Sequence, residues 1–266
     1  MLSIGKRIRF ERIFDRKTKK TVIITMDHGL TLGIIRGLEN VADIVDKVAL
    51  GGANAVLMHS GMVEAGHRQS GNDIGLIIHL SGATNLALDP DRKVLVCSTE
   101  RAIKMGADAI SIHVNIGANK ESEMLQDAQE VIEASREWGI PLIAMMYPRG
   151  EKIKSETDPD AVNIAVRVGA EIGADIVKTN YTGDIDSFKY IINSVHMPVI
   201  IAGGPKMEKT EDLLQAVYDS IQAGGSGVAF GRNVFQAEEP TKFVSALTKI
   251  VHENYTVEEV LREHKF

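Results

Sequence analysis

Gly52-Ala53-Asn54-Ala55-Val56, Gly106-Ala107-Asp108-Ala109-Ile110 and Gly173-Ala174-Asp175-Ile176-Val177 repeat one phrase: glycine, a small residue, Asn or Asp, then apolar residues. A looser copy stands at Gly225-Ser226-Gly227-Val228, and Trp138-Gly139-Ile140-Pro141 supplies the same punctuation in other residues. Each glycine suits a left-handed helix C-cap, and the apolar residues after it suit a buried strand. The phrase marks the passage from a helix into a strand, and its recurrence points to a repeated helix–strand unit.

Working outward, short apolar runs occupy residues 21–27, 54–59, 75–80, 109–115, 141–147, 175–179, 198–202 and 227–230. Most of the gaps carry helical spacing. Leu125, Ala128, Val131, Ile132, Ser135 and Trp138 form one stripe, and Phe188, Ile191, Ile192 and Val195 another. Asp158-Pro159 reads as an N-cap followed by Pro at the first helical position, and Thr256-Val257-Glu258-Glu259 as a capping box. Strands that are apolar throughout and alternate with helices make a parallel sheet covered on its faces, and eight of them close into a (β/α)8 TIM barrel. The reading is an α/β chain with a helical extension over residues 1–20 and one barrel over 21–266. A doubly wound sheet is the runner-up; against it, Met26-Asp27-His28-Gly29 follows the first run where a Gly-x-Gly-x-x-Gly fingerprint would stand.

The bulk properties agree with one large core. The chain has 266 residues, 44% hydrophobic and 25% charged, with 24 Gly and 7 Pro, which excludes collagen-like and disordered classes. A net charge of -6 gives no footprint for a phosphate backbone, so a nucleic-acid partner is not expected. Cys97 is the only cysteine, which leaves no intrachain disulfide or multi-cysteine zinc site and suits a reducing cytoplasm. No stretch reaches the ~20 apolar residues of a membrane span, and Met1 to Lys20 lacks a signal-peptide core. In that segment Leu2, Ile4, Ile8 and Ile13 suggest a short amphipathic helix, with Lys6, Arg7, Arg9, Arg12, Arg16, Lys17, Lys19 and Lys20 on a solvated face or in a minor anion patch; the solvated face is favoured.

On such a barrel the site lies at the C-terminal ends of the strands. The residues that end the runs are Asp27-His28, His59, His79, His113 with Asn115, Tyr147-Pro148-Arg149, Lys178, Gly203-Gly204 and Gly231-Arg232. With a side-chain period of two, Ile23, Thr25 and Asp27 share a face, as do Ile143, Met145 and Tyr147, and Ile176 and Lys178. If the apolar members face inward, Asp27, Tyr147 and Lys178 converge at the mouth. A buried lysine there can lose its proton and attack a carbonyl, the requirement for a Schiff base; a structural ion pair with Asp175 or a phosphate contact is the competing account. Tyr147 could exchange a proton or merely fill a core layer, and Asp27 could serve as a base, anchor a hydroxyl or cap the following loop.

Gly203-Gly204 and Gly231-Arg232 follow the seventh and eighth runs, where many barrels bind phosphate with backbone amides and a short helix. Arg232 would add a bidentate fork, although glycines there can also serve only turn geometry. The segments 61–72 and 81–92 read as long, functional loops. His28, His59, His79 and His113 could ligate a divalent metal, but no His-x-His or His-Glu-x-x-His spacing occurs, so hydrogen bonding is favoured and no metal or cofactor is expected.

Met26-Asp27-His28-Gly29, Met146-Tyr147-Pro148-Arg149-Gly150, Asp175-Ile176-Val177-Lys178-Thr179, Ala202-Gly203-Gly204-Pro205 and Gly231-Arg232-Asn233 occur in that order. On these motifs the chain resembles the archaeal-type class I aldolase family over essentially its whole length. His79-Leu80-Ser81-Gly82 and Ile112-His113-Val114-Asn115 extend the match and favour a transaldolase branch over the fructose-bisphosphate aldolases that share the catalytic motifs. The resemblance implies Schiff-base chemistry without metal on Lys178, with Tyr147 as proton donor and Asp27 as proton acceptor. It also implies a phosphate cradle of Gly203, Gly204, Gly231 and Arg232, with Pro148 and Arg149 helping to bind substrate. The implied partners are a phosphorylated ketose, 6-deoxy-5-ketofructose 1-phosphate, and L-aspartate 4-semialdehyde, in a homo-oligomer, a decamer of two stacked pentamers. A noncatalytic phosphosugar-binding barrel is the alternative from another class.

Overall fold

The computed structural model describes residues 3–68, 70–207 and 209–264. Eight strands form the barrel: β1 (Thr21–Thr25), β2 (Ala55–His59), β3 (Gly75–His79), β4 (Ala109–Ile116), β5 (Leu142–Pro148), β6 (Ile176–Thr179), β7 (Val199–Ala202) and β8 (Gly227–Phe230). Each is parallel to its successor, and β8 closes on β1 in the register Thr21↔Gly227 to Ile24↔Phe230. The closed ring rules out the doubly wound alternative.

Strand alternation divides the buried residues into two layers. Ile23, Ala55, Leu57, Ile77, Ala109, Ile143, Met145, Ile176, Ile200 and Ala229 fill the barrel interior, with Tyr147 above them. The other parity, including Val22, Ile24, Val56, Ile78, Ile110, Ala144 and Val177, packs under the helices. This is the parity expected for the runs ending in Asp27, Tyr147 and Lys178. Helix Glu121–Trp138 buries Met124, Ala128, Val131, Ile132 and Ser135, but Trp138 at its last turn is 48% exposed and does not belong to the packed stripe. Among the described residues between β2 and β3, the short helical turns Ser60–Met62 and Val63–Gly66 are the only elements, and Ser81–Gly82 pairs antiparallel with Val94–Leu95 above β3.

The repeated phrase has a physical basis at the barrel's lower rim. Gly52, Gly106 and Gly173 adopt φ of 92°, 88° and 97°, the left-handed caps expected; in the looser copy that conformation falls on Gly224 rather than Gly225. The third residue of the phrase fastens the preceding strand. Asn54 Oδ1 accepts from Val22 N at 2.7 Å, Asp108 Oδ2 from Leu76 N at 2.9 Å, and Asp175 Oδ2 from Leu142 N at 2.9 Å. The predicted caps also form: Asp158 accepts from Ala161 N, and Thr256 and Glu259 bond reciprocally.

The N-terminal helix Ile4–Ile13 lies against this rim, and Ile13 and Phe14 join the interior layer as its floor. The favoured solvated face holds for Arg7, Arg12, Arg16, Lys17 and Lys19, which are exposed, but not for Lys6. Lys6 is buried and pairs with Asp175 at 2.7 Å, Arg12 pairs with Asp108 at 2.6 Å, and Arg9 donates to Gly139 O at 2.9 Å. Three of the cations thus satisfy acceptors of the rim, while Ile4 and Ile8 face outward. Leu2 of the expected stripe lies outside the described residues, as does Gln69 in the 61–72 loop. Among the described residues no helix is long and apolar enough to cross a membrane.

Candidate active site

At the upper ends of the strands the inward positions change from apolar to polar. On β4 alone, Ser111, His113 and Asn115 follow Ala109 on one parity. The result is a cleft of about 920 Å³ lined by Asp27, Tyr147, Arg149, Lys178, Gly203, Gly204, Gly231 and Arg232. Pro148 is the exception among the residues singled out from the sequence. Adjacent to inward-facing Tyr147, it turns to the other face and lines a neighbouring cleft of about 520 Å³.

Lys178 is 6% exposed. Its Nζ lies 4.0 Å from Met145 Sδ, its register partner on β5, and its polar neighbours belong to the cleft. Asp175, the alternative ion-pair partner, bonds Lys6 at the opposite end of the barrel. Asp27 occupies the N-cap position of the short helix His28–Leu32 without making a side-chain capping bond. Its carboxylate instead lies 3.5 Å from His28 Nδ1 and 4.0 Å from His79 Nε2. Burial opposes its charge, but His79, His28, Lys178 and His59 together hold the carboxyl at about 2. Asp27 is an anion at neutral pH.

The histidines form a supporting layer. Burial drives His79 down to about 3, so its ring is neutral at pH 7, with Nδ1 at 2.8 Å from Ser111 Oγ. His59 Nδ1–H donates to the His79 carbonyl at 3.2 Å. Burial, then Arg149 and Lys93, holds His113 well below its ordinary pKa; its Nε2–H donates to Asn115 Oδ1 at 2.7 Å. Among the described residues no three His, Cys, Asp or Glu side chains are grouped to hold a metal ion. Tyr147 is clamped between the His113 ring, edge-on at 4.9 Å, and the Arg149 guanidinium at 5.2 Å. Arg149 is itself fixed by Glu156 through bonds of 2.7 and 3.2 Å.

Across the mouth, the β7 and β8 loops make a positively charged rim. A side chain at Gly231 would sit 2.3 Å from His28 Cε1 and 2.8 Å from Thr25 O, so that position requires glycine, while Gly204 takes φ 62°, a left-handed conformation that favours glycine. Asn233 donates to Gly203 O and Pro205 O and accepts from Met207 N, which staples the β7 loop. Arg232 Nη2 donates to Gly204 O at 3.2 Å, while its Nε is buried without a hydrogen-bond partner among the described residues. An unpaired guanidinium N–H at a cleft wall is a place for an anion.

Sequence reading assigned no role to Ser111, Asn233, Lys93 or Glu156. Ser111 shares the inward parity of His113, and Asn233 follows Arg232 directly, so both were within reach of pattern. Lys93 and Glu156 come from irregular loops with no period to expose them.

Residues 21–237 match the DeoC/LacD family of aldolases. The chain is 43% identical to 2-amino-3,7-dideoxy-D-threo-hept-6-ulosonate synthase 1 of Archaeoglobus fulgidus, covering 97% of this chain and 95% of that one. It is 36% identical to 2-amino-4,5-dihydroxy-6-oxo-7-(phosphonooxy)heptanoate synthase of Streptomyces griseus, over 95% and 92% of the two chains. A Schiff-base-forming fructose-1,6-bisphosphate aldolase, whose reaction intermediates have been solved, superposes with a TM-score of 0.85 at 32% identity, over 93% of this chain and 100% of that one. A buried lysine at the end of β6, the polar ring around it and these similarities make the chain an enzyme, and it belongs to the DeoC/LacD family of aldolases.

Proposed function

We propose that the chain is a Schiff-base transaldolase that moves a three-carbon enamine from 6-deoxy-5-ketofructose 1-phosphate to L-aspartate 4-semialdehyde, giving 2-amino-3,7-dideoxy-D-threo-hept-6-ulosonate. The observation that carries the reading is Lys178, buried on the cleft wall and facing the same space as Asp27 and Tyr147; the similarity to the Archaeoglobus synthase supplies the substrate class.

Lys178 condenses with the C5 ketone and water leaves, with Tyr147 supplying the proton. The iminium draws the electrons of the C3–C4 bond as Asp27 takes the C3 hydroxyl proton, which releases hydroxypyruvaldehyde phosphate. A carboxylate held near 2 is a weak base in the free enzyme. Collapse of the iminium to a neutral enamine removes positive charge beside Asp27, so its basicity rises at the step that needs it. The enamine attacks the aldehyde carbon of the semialdehyde, Asp27 returns the proton to the new hydroxyl, and hydrolysis frees Lys178.

The second reading is a fructose-bisphosphate aldolase, favoured by the β7–β8 rim, which suits a phosphate next to the imine carbon. Borohydride trapping with 6-deoxy-5-ketofructose 1-phosphate and, separately, with fructose 1,6-bisphosphate distinguishes them once the modified peptide is sequenced by mass spectrometry. A reduced adduct on Lys178 with the first ketose, and heptulosonate when semialdehyde is added, is the expected result. Efficient triose phosphate release from the bisphosphate favours the second reading, and no adduct with either ketose leaves a binding barrel. The same reading carries a cytoplasmic homodecamer, whose mass light scattering measures.

A further inference from the structure

Lys93 is a buried cation that the chemistry above does not use. It is 9% exposed, lines the cleft, and among the described residues its Nζ donates to a single acceptor, the Pro90 carbonyl at 2.5 Å. An ammonium has three donors, and among the described residues no carboxylate lies within 4.0 Å of this one. The side chain does not owe its position to a flexible surface loop. Lys93 N donates to Met124 Sδ at 3.5 Å, its carbonyl accepts from the Arg92 guanidinium, and Arg92 is anchored to Glu123 and Asp127 at 3.1 and 2.8 Å. Asn115 Nδ2 pins the same loop through Asp91 O at 2.7 Å. Desolvation of a charge with so few partners is costly unless something completes its shell.

Its place in the ring says what that partner is. In the closed strand order β3 stands opposite β7, and β4 opposite β8. Lys93, between β3 and β4, therefore faces the Gly203–Gly204 and Gly231–Arg232 rim across the mouth, with Lys178 on the wall between. Arg149 stands near Lys93, but Glu156 already neutralises it. The cleft thus has two positive poles, and among the described residues the pole at Lys93 has no carboxylate in contact with it, Asp91 and Asp89 acting on it only from beyond ion-pair distance.

We propose that Lys93 anchors the anionic end of the fragment beyond the scissile bond: the phosphate of the departing aldehyde, and then the carboxylate of the amino-acid aldehyde that replaces it. This rests on the proposed transfer, in which both species occupy that position in turn while the enamine stays on Lys178. A group that binds them both selects an acceptor with a charge at the far end, independently of what the retained fragment carries.

The test compares Lys93→Met and Lys93→Arg with the parent, after melting curves show that each variant is folded. For each protein, kcat/KM is measured with L-aspartate 4-semialdehyde and with an uncharged aldehyde, propanal, as acceptor, and the ratio of the two divides out any loss common to both. Loss of one charged hydrogen bond lowers that ratio by about 10- to 100-fold in Lys93→Met, mainly through KM, and Lys93→Arg restores most of it. An unchanged ratio, or equal losses with both acceptors, overturns the assignment. Cleavage of fructose 1,6-bisphosphate against fructose 1-phosphate poses the same question without the semialdehyde. If the parent gives no Lys178 adduct the transfer reading falls; an adduct together with an unchanged charge preference sinks only the role of Lys93.

Discussion

Tyr147 contributes a ring and a hydroxyl, and phenylalanine separates them. The ring is held between His113 and Arg149, so Tyr147→Phe keeps the packing, and its melting temperature stays within a few degrees of the parent. If the hydroxyl moves the proton, kcat falls by about 100- to 10,000-fold; a loss under threefold in steady-state assays would show that Tyr147 only fills space. His79 makes a prediction in pH. Burial holds its folded pKa at about 3, below the 6.5 of the unfolded chain. Between those values the unfolded chain binds the additional proton, so the contribution is complete above pH 6.5 and is lost as pH falls toward 3. Asp27, held at about 2 against 3.8, adds a second limb, full above 3.8 and lost as pH falls through 2. Urea midpoints of His79→Gln should decline less steeply than those of the parent between pH 6.5 and 4; equal slopes would locate the acid sensitivity elsewhere.

At the scale of elements, the repeated phrase carries more than punctuation. Its glycine and apolar residues are legible along the chain because both act locally, as a cap and a strand. The Asn or Asp between them acts on a strand start 32 or 33 residues earlier, and linear spacing does not show that partner. Asn54 has His252 as its second neighbour, whereas Asp108 and Asp175 have cations of the N-terminal helix, which explains the choice between amide and carboxylate. Asp175→Asn retains an acceptor for Leu142 N but strands the Lys6 ammonium, 7% exposed in its side chain. Breaking a buried pair in this way costs about 3 kcal/mol, and Lys6→Met added to Asp175→Asn should recover most of it. A double-mutant cycle by chemical denaturation measures the coupling, and simple additivity would mean that the pair contributes nothing. The site divides along the same line. Strand parity aims Asp27, Tyr147 and Lys178 at the cleft, which makes their convergence legible, whereas Pro148, of the opposite parity, lines the neighbouring cleft. Lys93 and Glu156 come from loops, where contact depends on closure of the whole ring.

For the whole molecule, the two ends of the barrel do different work. The upper end exposes polar side chains to substrate. The lower end is sealed by Ile13 and Phe14 under the interior layer, and by Lys6 and Arg12 on the carboxylates of the rim. The described residues 3–14 thus act as a plug and not as a detachable tail. Removing residues 1–14 would open the apolar floor to water and leave Asp108 and Asp175 without their cations, a loss of several kcal/mol that should lower the melting temperature by more than about 10 °C. Lys178 lies two residues beyond Ile176 along β6, above the interior layer, and no residue of the plug lines the cleft. In the fraction that stays folded at low temperature, KM for the ketose should therefore remain within about twofold of the parent. A shortened chain that melts with the parent would make the extension dispensable. One that stays folded but binds the ketose tenfold more weakly would mean that the floor, through Met145 and Ile176, sets the height of Lys178 in the mouth.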